Sequence, residues 1–199
     1  MKIRLATNEL LCVVASFALV AMAPPASVAQ GASQGGASQG GGSTRTTGKL
    51  SYDNGTYEGQ IRDGVPDGHG VYLFKSGNRF EGQFRNGLRE GRGTLRWTTG
   101  DSYTGDWKDD KRTGKGVLTW ANGDRYEGSF LDGERSGWGV QVWADGVRHE
   151  GQWALDVANG EGTNTRPDGT VYRGTWTNGC FRQGNRWATA GRSRAECGF

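Results

Sequence analysis

The feature that most constrains this chain is a motif that recurs every 23 residues from residue 57 onward. A bulky residue starts each unit, and a glycine follows two positions later. The units start at Tyr57, Phe80, Tyr103, Tyr126, His149 and Tyr172, and the glycines are Gly59, Gly82, Gly105, Gly128, Gly151 and Gly174. Repeats of roughly 20–50 residues are typical of arrays in which each unit packs mainly on its neighbours. The same local structure must therefore form six times.

A pair of glycines lies further along the unit, at positions 11 and 13 if the first residue is position 0. The first five units keep this pair, whereas the sixth has Gln183 and Asn185 instead. Further departures are His149 at an aromatic position, and Asp110 and Asp156 where the other units have glycine. The pattern therefore weakens toward the C-terminal end.

Alternation within each unit predicts two short strands. Tyr103, Gly105 and Trp107 occupy positions 0, 2 and 4 of the third unit, and a period of two places them on one face. A second strand, rich in β-branched residues, is expected after a loop of about six residues. Dipeptides such as Asn122-Gly123 predict the turns between units. The expected fold is all-β, an elongated single-layer antiparallel meander of about twelve strands, roughly 55–60 Å long.

The composition agrees with a thin sheet of this kind. Glycine accounts for 36 of 199 residues, and the chain has 8 Trp, 6 Tyr and 7 Phe. Few aliphatic residues remain for a thick core, and the mean hydropathy is −0.70. We therefore expect rings to pack over bare glycines instead of forming a conventional two-layer interior.

The Y-x-G opening followed by a later G-x-G resembles the MORN family (membrane occupation and recognition nexus repeats) over roughly residues 50–185. The resemblance implies a β-hairpin repeat protein that acts as a scaffold. In this family the repeats are tied to membrane association, protein binding and oligomerisation, sometimes beside an enzyme domain. It therefore implies a protein partner or self-association for this chain.

The N-terminal segment predicts export. Lys2 and Arg4 precede an apolar stretch over 10–23, which is typical of a signal peptide ending at residue 29. A retained signal anchor is the alternative. The Gly/Ser/Gln-rich segment 30–49 predicts a flexible linker. We expect the exported chain to be periplasmic or extracellular.

The remaining chain divides into repeats over 50–178 and a C-terminal segment over 179–199. That segment is expected to cap the end of the sheet. It contains Cys180 and Cys197, which could form a disulfide in an oxidising compartment. Closing this loop would stabilise the fold by about 3 kcal/mol in the chain-entropy model.

The charge is nearly balanced after export. Removal of residues 1–29 takes away Lys2, Arg4 and Glu9, so the net charge falls from +3 to +2. This gives no bulk attraction to nucleic acid or anionic membrane, and no nucleic-acid partner is expected.

No catalytic, cofactor-binding or metal-binding motif is present in the sequence. His69 and His149 are isolated in the sequence and are expected to be structural. The sequence therefore predicts a protein that is not an enzyme. A ladder of glutamates is expected to form a solvated face with cross-strand arginines; it comprises Glu58, Glu81, Glu127 and Glu150, with Arg79, Arg125 and Arg148 as partners.

Basic residues recur at three positions and could bind a partner. They are Arg62, Arg85 and Lys108 at position 5, Arg89, Arg112 and Arg135 at position 9, and Arg92 and Lys115 at position 12. Stacked repeats would align them along one edge of the ribbon. Acidic residues are interleaved, so the edge is either a mixed soluble surface or a contact site for an acidic partner or anionic headgroups. The aromatic ladder is likewise either packing alone or partly open to sugars or a partner segment.

The sequence thus predicts a non-catalytic scaffold for protein binding or assembly in the cell envelope. The alternative is a module that binds membrane lipid or envelope polysaccharide through the basic edge or the aromatic face.

Overall fold

The computed structural model describes residues 44–198, which are all-β apart from one 3₁₀ turn at Ala195–Cys197. The predicted signal peptide and residues 30–43 of the predicted linker lie outside the described residues. The strands are β1 (Thr46–Tyr52), β2 (Gly55–Arg62), β3 (Val65–Phe74), β4 (Arg79–Arg85), β5 (Leu88–Arg96), β6 (Ser102–Lys108), β7 (Lys111–Thr119), β8 (Arg125–Leu131), β9 (Glu134–Val142), β10 (Arg148–Ala154), β11 (Val157–Thr165), β12 (Val171–Trp176), β13 (Cys180–Gln183) and β14 (Arg186–Thr189).

Strands β1 to β12 form one antiparallel sheet in which each strand pairs with the strands before and after it in sequence. This confirms the predicted meander. The first five units supply β2 to β11 as complete hairpins, and the sixth unit supplies β12. The remaining strand, β1, comes from the segment that precedes the first unit.

Both ends of the sheet differ in detail from the expectation. Residues 46–49, expected in the linker, belong to β1, where Leu50 lies opposite Tyr57. Leu50 and Tyr52 pack against the core, which explains why the segment pairs. At the other end, β13 leaves the sheet and pairs with β14. Gln183 and Asn185 replace the glycines of this unit, so a ring could not lie over them.

The two strands of each unit are joined by a two-residue turn, not by the predicted six-residue loop. In the second unit Arg85 pairs with Leu88, and Asn86 and Gly87 have φ of 49° and 84°. Positive φ at both central residues is the type I′ geometry that matches strand twist. The register then shifts between Gly82 and Phe84, which marks a β-bulge in every complete unit.

One face of the sheet carries a continuous ladder of buried rings, which we call the aromatic face. The Tyr103 ring meets Trp107 at 5.3 Å and Phe130 of the next unit at 5.0 Å, both nearly perpendicular. It lies over the directly opposed Gly105 and Gly116. Its hydroxyl donates a hydrogen bond to the Asp106 carbonyl at 3.0 Å. The first-strand rings are closed by this packing, so they do not form an open aromatic surface.

The C-terminal hairpin extends the ring ladder beyond the last sheet strand. Phe181 lies 5.3 Å from Trp176 and is buried with Ala188 and Ala190. A disulfide joins Cys180 to Cys197, with a Cα–Cα distance of 5.7 Å. It ties the start of β13 to the terminal 3₁₀ turn.

Candidate binding groove

The opposite side of the sheet, which we call the polar face, is built from three rows of side chains that cross the strands. Cross-strand register places positions 1 and 14 of successive units in one central row. The part of this row over β3–β10 is Val71, Glu81, Thr94, Thr104, Val117, Glu127, Val140 and Glu150. One outer row contains Arg79, Arg96, Arg125 and Arg148, and the other contains the residues of position 12.

The polar face is concave and encloses a groove of about 1110 Å³. Its lining runs from His69 in β3 to Arg148 in β10. The bulge in each complete unit accounts for the curvature, because a bulge bends its strand and increases the local twist. Five bulges at the same position bend the ribbon repeatedly in the same sense.

The glutamates of the central row are paired along their own strands. Glu81 accepts from Arg79 at 2.8 Å, Glu127 from Arg125 at 2.6 Å and Glu150 from Arg148 at 2.7 Å. The Arg79 guanidinium lowers the pKa of Glu81. The expected cross-strand pairing is therefore wrong for these three. The residues are two positions apart, so both side chains lie on the same face of one strand.

Position 12 is the row in which residue chemistry changes from unit to unit. Its members are His69, Arg92, Lys115, Trp138 and Glu161. Arg92 has 85 % of its side chain exposed and reaches Asp106 at 3.3 Å. The Lys115 ammonium lies 3.0 Å from the Ser129 hydroxyl. The members other than Glu161 line the groove and present different chemical groups at equal intervals along it.

Trp138 is the residue of this row that the sequence-based reasoning missed. It is 50 % exposed and lines the groove, whereas the other tryptophans of complete units belong to the aromatic face or pack against its core. The sequence does contain a sign of this role, because every other complete unit has a polar residue at position 12. An exposed indole in a groove is a typical anchor point for a ligand.

The position-9 arginines do not lie along an open edge of the ribbon, as the sequence predicted, but pack on the aromatic face. Arg89 keeps only 15 % of its side chain exposed and lies 4.3 Å above the Trp107 ring. It also donates to the Asp110 carboxylate at 2.8 Å and to the Asp110 carbonyl at 2.8 Å. Arg135 repeats this arrangement on Trp153 and Asp156, and Arg112 donates to the Gly133 carbonyl. These three side chains join successive units on the aromatic face.

The position-5 residues lie at the turn ends of their strands and do not line the groove. Arg62 pairs with buried Asp67, which also accepts from Arg45 at 2.7 Å. The Arg62 hydrogen bond is the main cause of a pKa of about 2 at Asp67. Arg85 faces Glu90 at 3.9 Å, and Lys108 is exposed. Of the eight predicted binding residues, the groove therefore brings together Arg92 and Lys115 alone.

Within residues 44–198, no group of three or more His, Cys, Asp or Glu side chains is arranged to hold a metal ion. Over the same range no helix has the length and apolarity needed to cross a bilayer.

Comparison with known proteins identifies the repeat unit. The MORN repeat family model matches residues 57–79, 80–102, 103–125, 126–148 and 149–171. These are the five units that keep the glycine pair at positions 11 and 13. Among solved structures, the chain is similar to the SAS-4 (dCPAP) TCP domain of Drosophila melanogaster, solved in complex with a proline-rich motif of Ana2 (dSTIL). The identity is 16 %, the alignment covers 75 % of this chain and 99 % of that chain, and the TM-score is 0.30. The search of curated proteins gave no match.

Proposed function

We propose that this chain, which belongs to the MORN repeat family, is a scaffold whose polar groove binds another protein. Members of this family generally act as protein- or membrane-binding scaffolds and are generally non-catalytic. In this proposal one face of the sheet maintains the fold and the other binds the partner. The aromatic face repeats the same packing in unit after unit, and the polar face carries the variable row.

The observation that carries this proposal is the position-12 row. A residue that only maintains the sheet would repeat, as the rings of position 0 and the glycines of positions 2 and 13 do. His69, Arg92, Lys115 and Trp138 differ in charge and shape, yet all line one concave surface. A protein partner can match such a sequence of groups, since interfaces combine aromatic anchors with charged contacts.

The site of action is part of the proposal. A chain with the predicted signal peptide would be exported, and the groove would then work in the cell envelope or outside the cell. Export can be tested by sequencing the N-terminus of the mature protein. A start at Gln30 in the extracytoplasmic fraction supports export, and an intact N-terminus in the cytoplasm contradicts it.

Groove binding can be tested by photo-crosslinking in intact cells that express the full chain. A benzophenone amino acid replaces Thr104, at the centre of the groove, and the matched control carries it at Lys75, in an exposed turn between units. We expect a discrete protein adduct from position 104 and none from position 75. Capture of lipid or glycan alone at position 104 would replace the protein-binding function with the lipid- or polysaccharide-binding alternative.

A further inference from the structure

Exposed positive charge lies near the middle of the groove. Arg92 and Lys115 both line the groove; Arg92 is largely exposed beside its partner Asp106, and no ion pair described within residues 44–198 includes Lys115. The central glutamates, in contrast, are already neutralised by arginines of their own strands. A ligand that approaches β5–β7 therefore meets an excess of cations, which favours an acidic partner surface.

The spacing of the position-12 row matches an α-helix better than an extended segment. Successive members lie two strands apart, which is about 10 Å in a sheet. An α-helix advances about 10.5 Å in seven residues, and residues seven apart lie on the same stripe of its surface. An extended strand repeats a face every 7 Å or so and would meet the row only at alternate members.

The groove is also long enough for such a helix. Its eight strands, β3 to β10, span about 34 Å, which is the length of a helix of roughly 22 residues. A planar bilayer cannot follow a concave wall, so the cations at its floor favour a polypeptide over a membrane surface. Trp138 lies one interval beyond Lys115 and offers an apolar contact.

Resting on the proposed protein-binding function, we propose that the groove binds an acidic amphipathic α-helix of a partner protein. Two carboxylates of the helix, seven residues apart, meet Arg92 and Lys115. An apolar side chain seven residues further on packs against Trp138. The helix lies along the ribbon, perpendicular to the strands.

A pair of labelled peptides tests this arrangement with the full chain. Each is a 22-residue helical peptide with Leu at position 18, and the two differ only in Glu or Lys at positions 4 and 11. Fluorescence anisotropy should show the Glu peptide binding at least about tenfold tighter than the Lys peptide. The variant Arg92→Glu/Lys115→Glu should reverse that preference, and Trp138→Ala should weaken Glu-peptide binding about tenfold.

Matched variants separate these effects from general changes in charge or stability. Lys75→Glu/Arg85→Glu alters the net charge equally but lies outside the groove, and Leu131→Ala removes an apolar side chain that is 59 % exposed outside it. Both should bind the Glu peptide as the parent chain does. Equal affinity for the two peptides, or an unreversed preference in the double variant, would overturn the acidic-helix assignment.

Mapping the partner segment captured at position 104 keeps this inference separate from the proposed function. An acidic segment with carboxylates seven residues apart supports the inference. A basic or uncharged segment overturns it and leaves protein binding in place. Vesicles of anionic phospholipid that bind the parent chain and displace the Glu peptide would also overturn it, whereas failure to capture any protein would remove the function on which it rests.

Discussion

The ring of position 0 and the two glycines beneath it form the smallest unit that specifies this fold. A Cβ atom at Gly116 would lie 2.5 Å from both the Cε2 atom and the hydroxyl oxygen of Tyr103, which is closer than non-bonded atoms approach. The ring cannot withdraw, because it is packed between Trp107 and Phe130. We therefore expect Gly116→Ala to lower the free energy of unfolding by about 3 kcal/mol or more, as measured by urea denaturation.

Gly169→Ala is the control for this substitution. Gly169 has a φ of +83° with no atom within 4 Å of the added carbon, so it should show only the cost of a left-handed alanine, about 1 kcal/mol. Equal losses at the two glycines would mean that conformational freedom, not the space under the ring, explains the glycine pair.

His149 packs in the ring ladder as the other position-0 rings do, but it can take up a proton. The free energy of unfolding therefore depends on pH. Its ring is fully buried between Trp153 and Trp176, and neither nitrogen has a hydrogen-bond partner among the described residues. Burial, helped by the neighbouring Arg148 charge, lowers its pKa from 6.5 to about 4. As pH falls below 6.5, His149 becomes protonated in the unfolded chain but stays neutral in the folded chain, so stability is lost between pH 6.5 and 4. From pH 7 to 5 the loss should be about 2 kcal/mol.

The variant His149→Phe isolates this contribution, since Phe80 shows that the position accepts a phenylalanine. Unfolding should be measured at pH 7 and pH 5 for both proteins, because all other titrating groups are common to them. We expect the variant to be more stable at both values and to lose about 2 kcal/mol less on acidification. An identical pH dependence in the two proteins would show that the ring becomes protonated without cost.

At the scale of the hairpin, the position-9 arginine links each unit to the turn of the next. Arg89 combines a stack on Trp107 with paired hydrogen bonds to Asp110, 21 residues away. Lysine cannot reproduce this planar, bidentate geometry. Arg89→Lys should therefore cost about 1–3 kcal/mol in urea unfolding, whereas Arg92→Lys, on the opposite face of the same strand, should change stability by less than about 0.5 kcal/mol. Equal effects would contradict a linking role.

The hairpin also shows where prediction from the sequence reaches its limit. Positions 0, 2 and 4 alternate without interruption, so the faces of the first strand were predicted correctly. Arg89 was misplaced because a six-residue loop would have kept it out of the strand. Asn86-Gly87 is a recognisable two-residue turn, but Asp109-Asp110 fills the same turn without glycine. The bulge then shifts the register by two residues, which leaves the alternation of faces unchanged, so a simple period of two does not reveal it.

At the scale of the whole molecule, the groove is a property that no single unit displays. Trp138 and Lys115 are ordinary surface residues within their own hairpins, and they line a common concavity only after the bulges of several units have added up. Their role therefore could not be inferred from one repeat. The meander itself could be inferred, since its strand order follows directly from short turns between consecutive strands.

In the described sheet each unit contacts mainly the units before and after it, so the ribbon should tolerate the removal of one whole unit. Deleting residues 103–125 joins Ser102 to Tyr126, so that Phe80 would meet Phe130 and Arg89 would reach the Asp132-Gly133 turn. Similar contacts already exist, since Tyr103 meets Phe130 and Arg112 donates to Gly133. The shortened chain should fold, lose about one seventh of its urea m-value and be about 10 Å shorter in solution scattering.

Deleting residues 103–113 removes a single strand and reverses the direction of all the strands that follow, so this control should not fold. If both deletions unfold the chain, stability resides in the sheet as a whole and not in the sum of neighbouring contacts.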